Sequence, residues 1–260
     1  CLSVFAGSAA MAGAAILSGL GAGSGPSGLT ELLLDAPLVP AVSGRIPAAV
    51  CRPLPSGMPG TADALVLGPG WGRGQNRQHL LAQALSDDRP LVLDADALHL
   101  LAARGPSPRK QGAGLLLTPH PGEAAVLLSA TGKQVDEAAD TAGVIADPFA
   151  AASSIAKAYG AVCVLKLGVT VVANPAGLRA AWDGANPLAA TAGSGDVLAG
   201  LCGSLLAAGY SVWDAARIGV VLHGLAAADA ADSGVFSADA LASSIGRRCG
   251  MFIRPDREYL

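Results

Sequence analysis

The stretch NPLAATAGSGDVLAG, residues 186–200, decides how the rest of the chain is read. Asn186-Pro187 is a turn signal. Thr191 to Gly195 are small residues whose backbone bends sharply and turns successive N–H groups outward. Asp196 follows, and then an apolar run from Val197 to Leu201 that reads as a buried helix over Gly195–Ala208. Glycines at a helix start leave unpaired N–H groups and the positive end of the helix dipole free to attract an anion. Asp196 falls in the first turn, beside that anion hole. A carboxylate repels phosphate, so it serves poorly as a phosphate ligand. It serves well as a base taking a proton from a hydroxyl that attacks the phosphate. The plainer alternative is that Asp196 caps the helix and the glycines are loop.

Outward from this stretch, short apolar runs alternate with helical segments. Strands are expected at Leu2–Ala6, Leu32–Leu34, Val39–Val42, Ala64–Leu67, Leu91–Leu93, Leu115–Leu117 and Val162–Leu165. Thr170–Ala173 and Leu178–Trp182 flank Asn174-Pro175-Ala176-Gly177, a turn with Pro second and Gly last, hence a hairpin. Helices are expected at Ala12–Leu20, His79–Leu85, from Ala124, at Phe149–Tyr159 and at Val212–Ala230. Residues 53–60 read as an exposed Pro/Gly-rich segment, and 246–260 as a tail without pattern. This alternation predicts an α/β domain over residues 1–245, with a mostly parallel sheet covered on both faces. Ligands of such sheets bind beyond the carboxyl ends of the strands.

Composition supports a large buried core and limits the partners. Of 260 residues, 52% are hydrophobic and 14% charged, and the net charge of -3 comes without a basic cluster, which argues against nucleic acid. The five cysteines are scattered without a C-x-x-C, as expected of reduced thiols in a cytoplasmic protein. No charge precedes Glu31, yet the segment lacks the basic flank of a signal peptide and is broken by glycines, so a membrane span is not expected. The first residue is Cys, which suggests a processed or fragmentary sequence.

Several loops carry candidate chemistry. Gly68-Pro69-Gly70-Trp71-Gly72 follows a strand and fits neither a P-loop nor a dinucleotide fingerprint; its glycines either let backbone approach a flat ligand or form a plain turn. Asp94 and Asp96 end a strand, where they either hold Mg²⁺ through water or, the favoured reading, cap the next helix. His120, between two prolines, has a fixed backbone and an aimed imidazole, and Glu123 is either a helix-start carboxylate or a holder of metal-bound water. His79, His99 and His223 lie in apolar helical stretches and read as structural. Lys166 ends a strand, either as a nucleotide ligand or as a surface lysine beside the hairpin.

Taken together, Gly7-Ser8 with Gly13-Ala14-Ala15, GPGWG, LDADAL, TPHPGE, Lys166 with Thr170, and NPLAATAGSGDVLAG resemble, in that order, the ADP-dependent NAD(P)H-hydrate dehydratases of the ribokinase-like superfamily. The resemblance covers Ser3 to Ala230. It implies a hydro-lyase that repairs hydrated NADH or NADPH. A phosphoryl group passes from ADP to the ring hydroxyl, and phosphate then leaves, giving AMP and the restored cofactor. It further implies Asp196 as base, Gly195 and the span Lys166, Leu167, Gly168, Val169, Thr170 as nucleotide-binding, and Ala14, Gly72, His120 and Asp196 as substrate-contacting. Mg²⁺ and a homotetramer are implied as well; no metal ligand is assigned. The chain departs from the pattern at Leu167, where the family usually has glycine, matches loosely over Gly21–Gly44, and is unlike it after Ala240. The epimerase domain often fused in front of the family is not in this sequence. Two other readings stay open: a small-molecule kinase acting on a vitamin precursor or sugar, and a nucleotide-binding module whose site Leu167 has spoiled.

Overall fold

The computed structural model describes residues 1–106, 109–110, 112–132, 137–184, 191–232, 234 and 237–252. Its strands are β1 (Leu2–Phe5), β2 (Thr30–Leu34), β3 (Ala49–Pro53), β4 (Ala64–Leu67), β5 (Leu91–Leu93), β6 (Leu115–Leu117), β7 (Val162–Leu165), β8 (Thr170–Ala173) and β9 (Arg179–Trp182). They form one sheet in the order β3-β2-β1-β4-β5-β6-β7-β8-β9. Strands β3 to β7 in that order pair parallel, and β8 and β9 add an antiparallel hairpin. Every residue of β1, β2, β4, β5, β6 and β7 is buried. That is why β4, β5, β6 and β7 read as continuous apolar runs, with the buried polar pair Ser3 of β1 and Glu31 of β2 hydrogen-bonded to each other, while the edge strands β3 and β9 carry Arg52 and Arg179 and are partly exposed.

Helices cover both faces. On one side α1 (Ala12–Ser24), α8 (Ser194–Ala207), α9 (Val212–Asp232) and α10 (Ala238–Phe252) close over Val4, Leu32 and Val66. On the other, α3 (Gln75–Ser86), α4 (Asp96–Arg104), α5 (Pro121–Ser129) and α7 (Pro148–Tyr159) close over Phe5, Leu65, Leu67 and Leu91. The short α2 (Val39–Ser43) and α6 (Glu137–Ala146) complete the α-helices among the described residues, and a 3-10 turn over Ala36–Leu38 leads into α2. The small residues of α1 bring it into backbone contact with α8. A Cβ at Gly21 would lie 2.2 Å from the Val197 carbonyl oxygen, and one at Gly200 2.0 Å from that of Ser18.

Three expectations are corrected. Val39–Val42 is helix, not strand: Leu38 and Val42 are buried at a helical spacing of four, and Pro40 sits in the first turn, where its missing N–H is harmless. The supposed exposed segment from Pro53 is preceded by the unpredicted β3, and Leu54 and Met58 within it pack against the core. Residues 246–252, without pattern in the sequence, continue α10. The Asn186-Pro187 turn falls outside the described residues.

Candidate active site

Three neighbouring parallel strands each end in leucine, and the residue after each leucine is polar: Asp94 after β5, Thr118 after β6, Lys166 after β7. Leu93 is in register with Leu117, so Asp94 and Thr118 lie level, while Leu117 pairs with Cys163 and Lys166 extends two residues further along the same carboxyl edge of the sheet. Lys166 Nζ donates to Asp94 Oδ1 at 2.7 Å, and Thr118 Oγ1 donates to the same oxygen at 2.9 Å. Asp94 is 2% exposed. The Lys166 backbone N–H is anchored on the Pro119 carbonyl at 2.9 Å. Lys166 is thus no surface lysine.

The start of α8 faces this row. Its N-cap is Gly193, whose φ of 88 is the backbone conformation that favours glycine, and an added Cβ would also displace the end of the Leu17 side chain. Asp196 therefore does not occupy the cap position. It sits half-buried in the first turn, near the positive end of the helix dipole. A Cβ on Gly195 would lie 3.2 Å from Lys166 Nζ, which places the ammonium against the same turn. Burial and the negative charge of Asp94, opposed by Lys166 and reinforced by Glu123, push the Asp196 carboxyl up to about 7. Burial works against the Lys166 ammonium, but Asp94, Glu123 and Asp196 outweigh it and hold it above the ordinary lysine range.

The neighbouring loop lies at the switch point of the sheet, where the chain crosses from one side of β1 to the other at β4. Gly68, Gly70 and Gly72 all have positive φ. A Cβ at Gly70 would come within 2.7 Å of the Ala14 Cβ, so α1 and this loop share one wall. Trp71 points inward, fully buried and edge-on to Phe5 at 6.1 Å. Asp96 accepts the Gly72 N–H and the Arg73 Nε–H, each at 2.7 Å. The capping reading of Asp94 and Asp96 is overturned: the N-cap of α4 is Ala95, without a side-chain cap. Ala95, at φ 47 and ψ -119, is the one non-glycine residue of positive φ among those described. This strained turn sits between one aspartate bound to Lys166 and another bound to the glycine loop.

His120 closes the row. Its Nδ1 accepts the N–H groups of Gly122 (3.0 Å) and Glu123 (3.3 Å), while Glu123 Oε2 accepts the His120 N–H at 2.9 Å, a reciprocal cap on α5. A ring whose Nδ1 accepts carries its proton on Nε2, which lies 3.4 Å from Glu123 Oε1. The imidazole side chain is 57% exposed at the carboxyl edge. Leu167, Gly168 and Val169 form the bend into β8, and Thr170 Oγ1 donates to the Leu167 carbonyl at 3.3 Å. Neither Leu167 nor Gly168 has a positive φ, so the leucine stands without strain where the family usually has glycine.

The structure therefore joins Lys166, Gly195 and Asp196 around one helix start, with Ala14 and Gly72 along the adjoining glycine loop. Sequence reasoning missed the ties from Asp94 to Lys166, from Thr118 to Asp94 and from Asp96 to Gly72. The one available signal was the repeated leucine-then-polar ending of three successive strands.

The family model described as NAD(P)H-hydrate dehydratase matches residues 2–247, further than the expected end of the resemblance and past Ala240, after which the chain had seemed unlike the family. The ADP-dependent (S)-NAD(P)H-hydrate dehydratase of Neisseria meningitidis is 38% identical over 94% of this chain and 81% of its own length. The bifunctional NAD(P)H-hydrate repair enzyme Nnr of Thermanaerovibrio acidaminovorans is 36% identical over 90% of this chain but 46% of its own length, so the chain spans about half of that relative. The fold is ribokinase-like. The Bacillus subtilis ADP/ATP-dependent NAD(P)H-hydrate dehydratase, crystallised with ATP and Mg²⁺, superposes with a TM-score of 0.84 at 26% identity, covering 96% of this chain and 89% of that one. Its sequence and its fold agree: this chain belongs to the NAD(P)H-hydrate dehydratase family.

Proposed function

We propose that this chain restores hydrated NADH or NADPH in an ADP-dependent dehydration. The observation that carries the reading is Asp196, half-buried in a glycine-framed helix start with Lys166 Nζ against the same turn. The hydroxyl of the hydrated nicotinamide ring loses its proton to Asp196 as it takes the terminal phosphoryl group of ADP, releasing AMP. The ring nitrogen then expels phosphate, the neighbouring ring carbon gives up a proton, and the double bond returns. A carboxyl that titrates near 7 suits a group that takes up and gives back a proton near neutral pH. Lys166 and the positive dipole end at the α8 start would stabilise the migrating phosphoryl charge. Ala14, Gly72 and His120 would line the substrate side, and Lys166 to Thr170 with Gly195 the nucleotide side.

Mg²⁺, when bound, neutralises phosphate charge in such transfers. Among the described residues no group of three His, Cys, Asp or Glu side chains is placed to hold a metal ion. Asp94 and Asp96 are each taken up by a cation and a hydrogen bond. The ion would therefore arrive on the nucleotide.

All five cysteines are free, which supports a reducing, cytoplasmic setting. No helix among the described residues is long and apolar enough to cross a membrane. We take the working form to be a homotetramer, in which exposed side chains such as Ile145, Leu178 and Val221 find partners; light scattering checks this.

The decisive assay mixes the protein with NADH hydrate or NADPH hydrate, Mg²⁺ and either ADP or ATP, and follows the absorbance of the reduced ring. Recovery with ADP supports the proposal. Phosphorylation of a vitamin alcohol by ATP, without recovery, would select the kinase reading, and nucleotide binding without either reaction the non-catalytic module.

A further inference from the structure

Asp94 has no place in the reaction as written, yet it is the most buried charge near the site. Its Oδ1 takes two hydrogen bonds, from Lys166 Nζ at 2.7 Å and Thr118 Oγ1 at 2.9 Å. The ammonium it holds lies where a Cβ on Gly195 would be only 3.2 Å away. A lysine side chain is long and flexible, and without a fixed partner its charge would spread over several rotamers. Asp94 itself is held on both flanks. Ahead of it stands β5, in register with β6; behind it stands Ala95, whose positive φ turns Asp96 toward the glycine loop while Asp94 faces Lys166.

We propose that Asp94 is a positioning residue for the transfer: it fixes the Lys166 ammonium against the first turn of α8, so that the charge meets the phosphoryl group at the Asp196 carboxylate. Thr118 fixes Asp94 in turn. This rests on the function proposed above and adds a residue to it. The charged and titratable groups that bear on the Lys166–Asp196 pair are Asp94 between β5 and α4, Glu123 on α5, His223 on α9 and, within α8 itself, the deeper Cys202, which senses both Asp94 and Lys166. Of these, Asp94 touches the ammonium directly. Its charge also raises the Asp196 carboxyl, so its removal lowers that titration.

The test combines kinetics with a readout that needs no turnover. In Asp94→Asn, kcat is expected to fall ~10-fold or more, as for loss of a charge-assisted hydrogen bond that matters in the transition state. The Asp196 carboxyl, followed by ¹³C NMR in protein without nucleotide, is expected to titrate at lower pH, and the acid limb of the rate profile moves with it. Because Asp94 acts through Lys166, the double variant Asp94→Asn/Lys166→Met is expected within about 3-fold of Lys166→Met alone. A wild-type kcat in Asp94→Asn, an unmoved Asp196 titration, or losses that multiply in the double variant would each overturn the proposal. Should Asp94→Asn not fold, Thr118→Val serves, removing one of the two bonds to Asp94 at similar volume. It is expected to lower kcat by a smaller factor, and unchanged kcat in that variant overturns the idea. The NMR titration reports on Asp94 whether or not NAD(P)H hydrate is turned over, so failure here and failure of the proposed function are separable.

Discussion

Nε2 of His223, on α9, lies 3.0 Å from the backbone carbonyl oxygen of Ser194 in the first turn of α8. A carbonyl only accepts, so the ring donates from Nε2. Burial, countered by this hydrogen bond and aided by the positive charge of Lys166, pushes the imidazole down to about 4. The helix start that carries Asp196 is thus pinned from a second helix, through a histidine kept neutral.

That arrangement predicts an acid sensitivity. A histidine with a depressed folded-state pKa favours the native state fully above its unfolded value near 6.5, and the contribution is lost as pH falls from there toward 4. Its full size is ~3 kcal/mol. Urea unfolding of wild type and His223→Gln between pH 7.5 and 4.5 checks this. The wild type is expected to lose stability more steeply, and equal slopes would remove His223 as the cause.

Asp196 has the opposite sign. Its folded pKa is raised, so ionising it opposes folding, increasingly as pH climbs from near 4 to about 7. Asp196→Asn is therefore expected to be more stable than wild type by ~2 kcal/mol at pH 8, after allowance for partial exposure, with the gap closing near pH 4. The same variant is expected to lose ~10²-fold or more in turnover while keeping nucleotide affinity. Thermal melts at the two pH values, with the absorbance assay, test both halves.

The α1–α8 contact predicts contrasting glycine replacements. Gly200→Ala places a methyl 2.0 Å from the Ser18 carbonyl oxygen, and Gly21→Ala one 2.2 Å from that of Val197. Each must force the helices apart, for a loss of ~2–4 kcal/mol and a displaced α8 start. Gly23→Ala, in the same helix with nothing within 4 Å, is expected to be neutral or to stabilise by up to ~1 kcal/mol. Denaturant midpoints separate the three.

Leu167 offers a fourth test. Its backbone is ordinary and its side chain packs against the core on the α5–α7 side of the sheet. Restoring the family's glycine with Leu167→Gly is expected to leave ADP affinity within about 3-fold, by calorimetry, and to reduce stability by ~1–2 kcal/mol through lost packing and added chain freedom. A large gain in affinity would show that leucine does impair the site.

Much of the fold is written in local pattern. Strands buried on both faces favour apolar runs, and Ala64–Leu67 or Val162–Leu165 can be little else. Asn174 to Gly177 specify their own turn, in which Gly177 has φ 91. Elements at the margin are less legible: β3 is a partly exposed edge strand, and α10 packs not only on the preceding α9 but on α1, at the other end of the chain.

The glycines around Asp196 are legible in sequence alone, because a helix start that must bend sharply and a helix face that must touch another helix both favour small residues. What Asp94 and Asp96 do does not follow. Two residues apart in the chain, they face different partners, Lys166 and Gly72, which lie 72 and 24 residues away. Strand order and register alone bring these groups together, and it is burial among them that moves the Asp196 proton toward neutral pH.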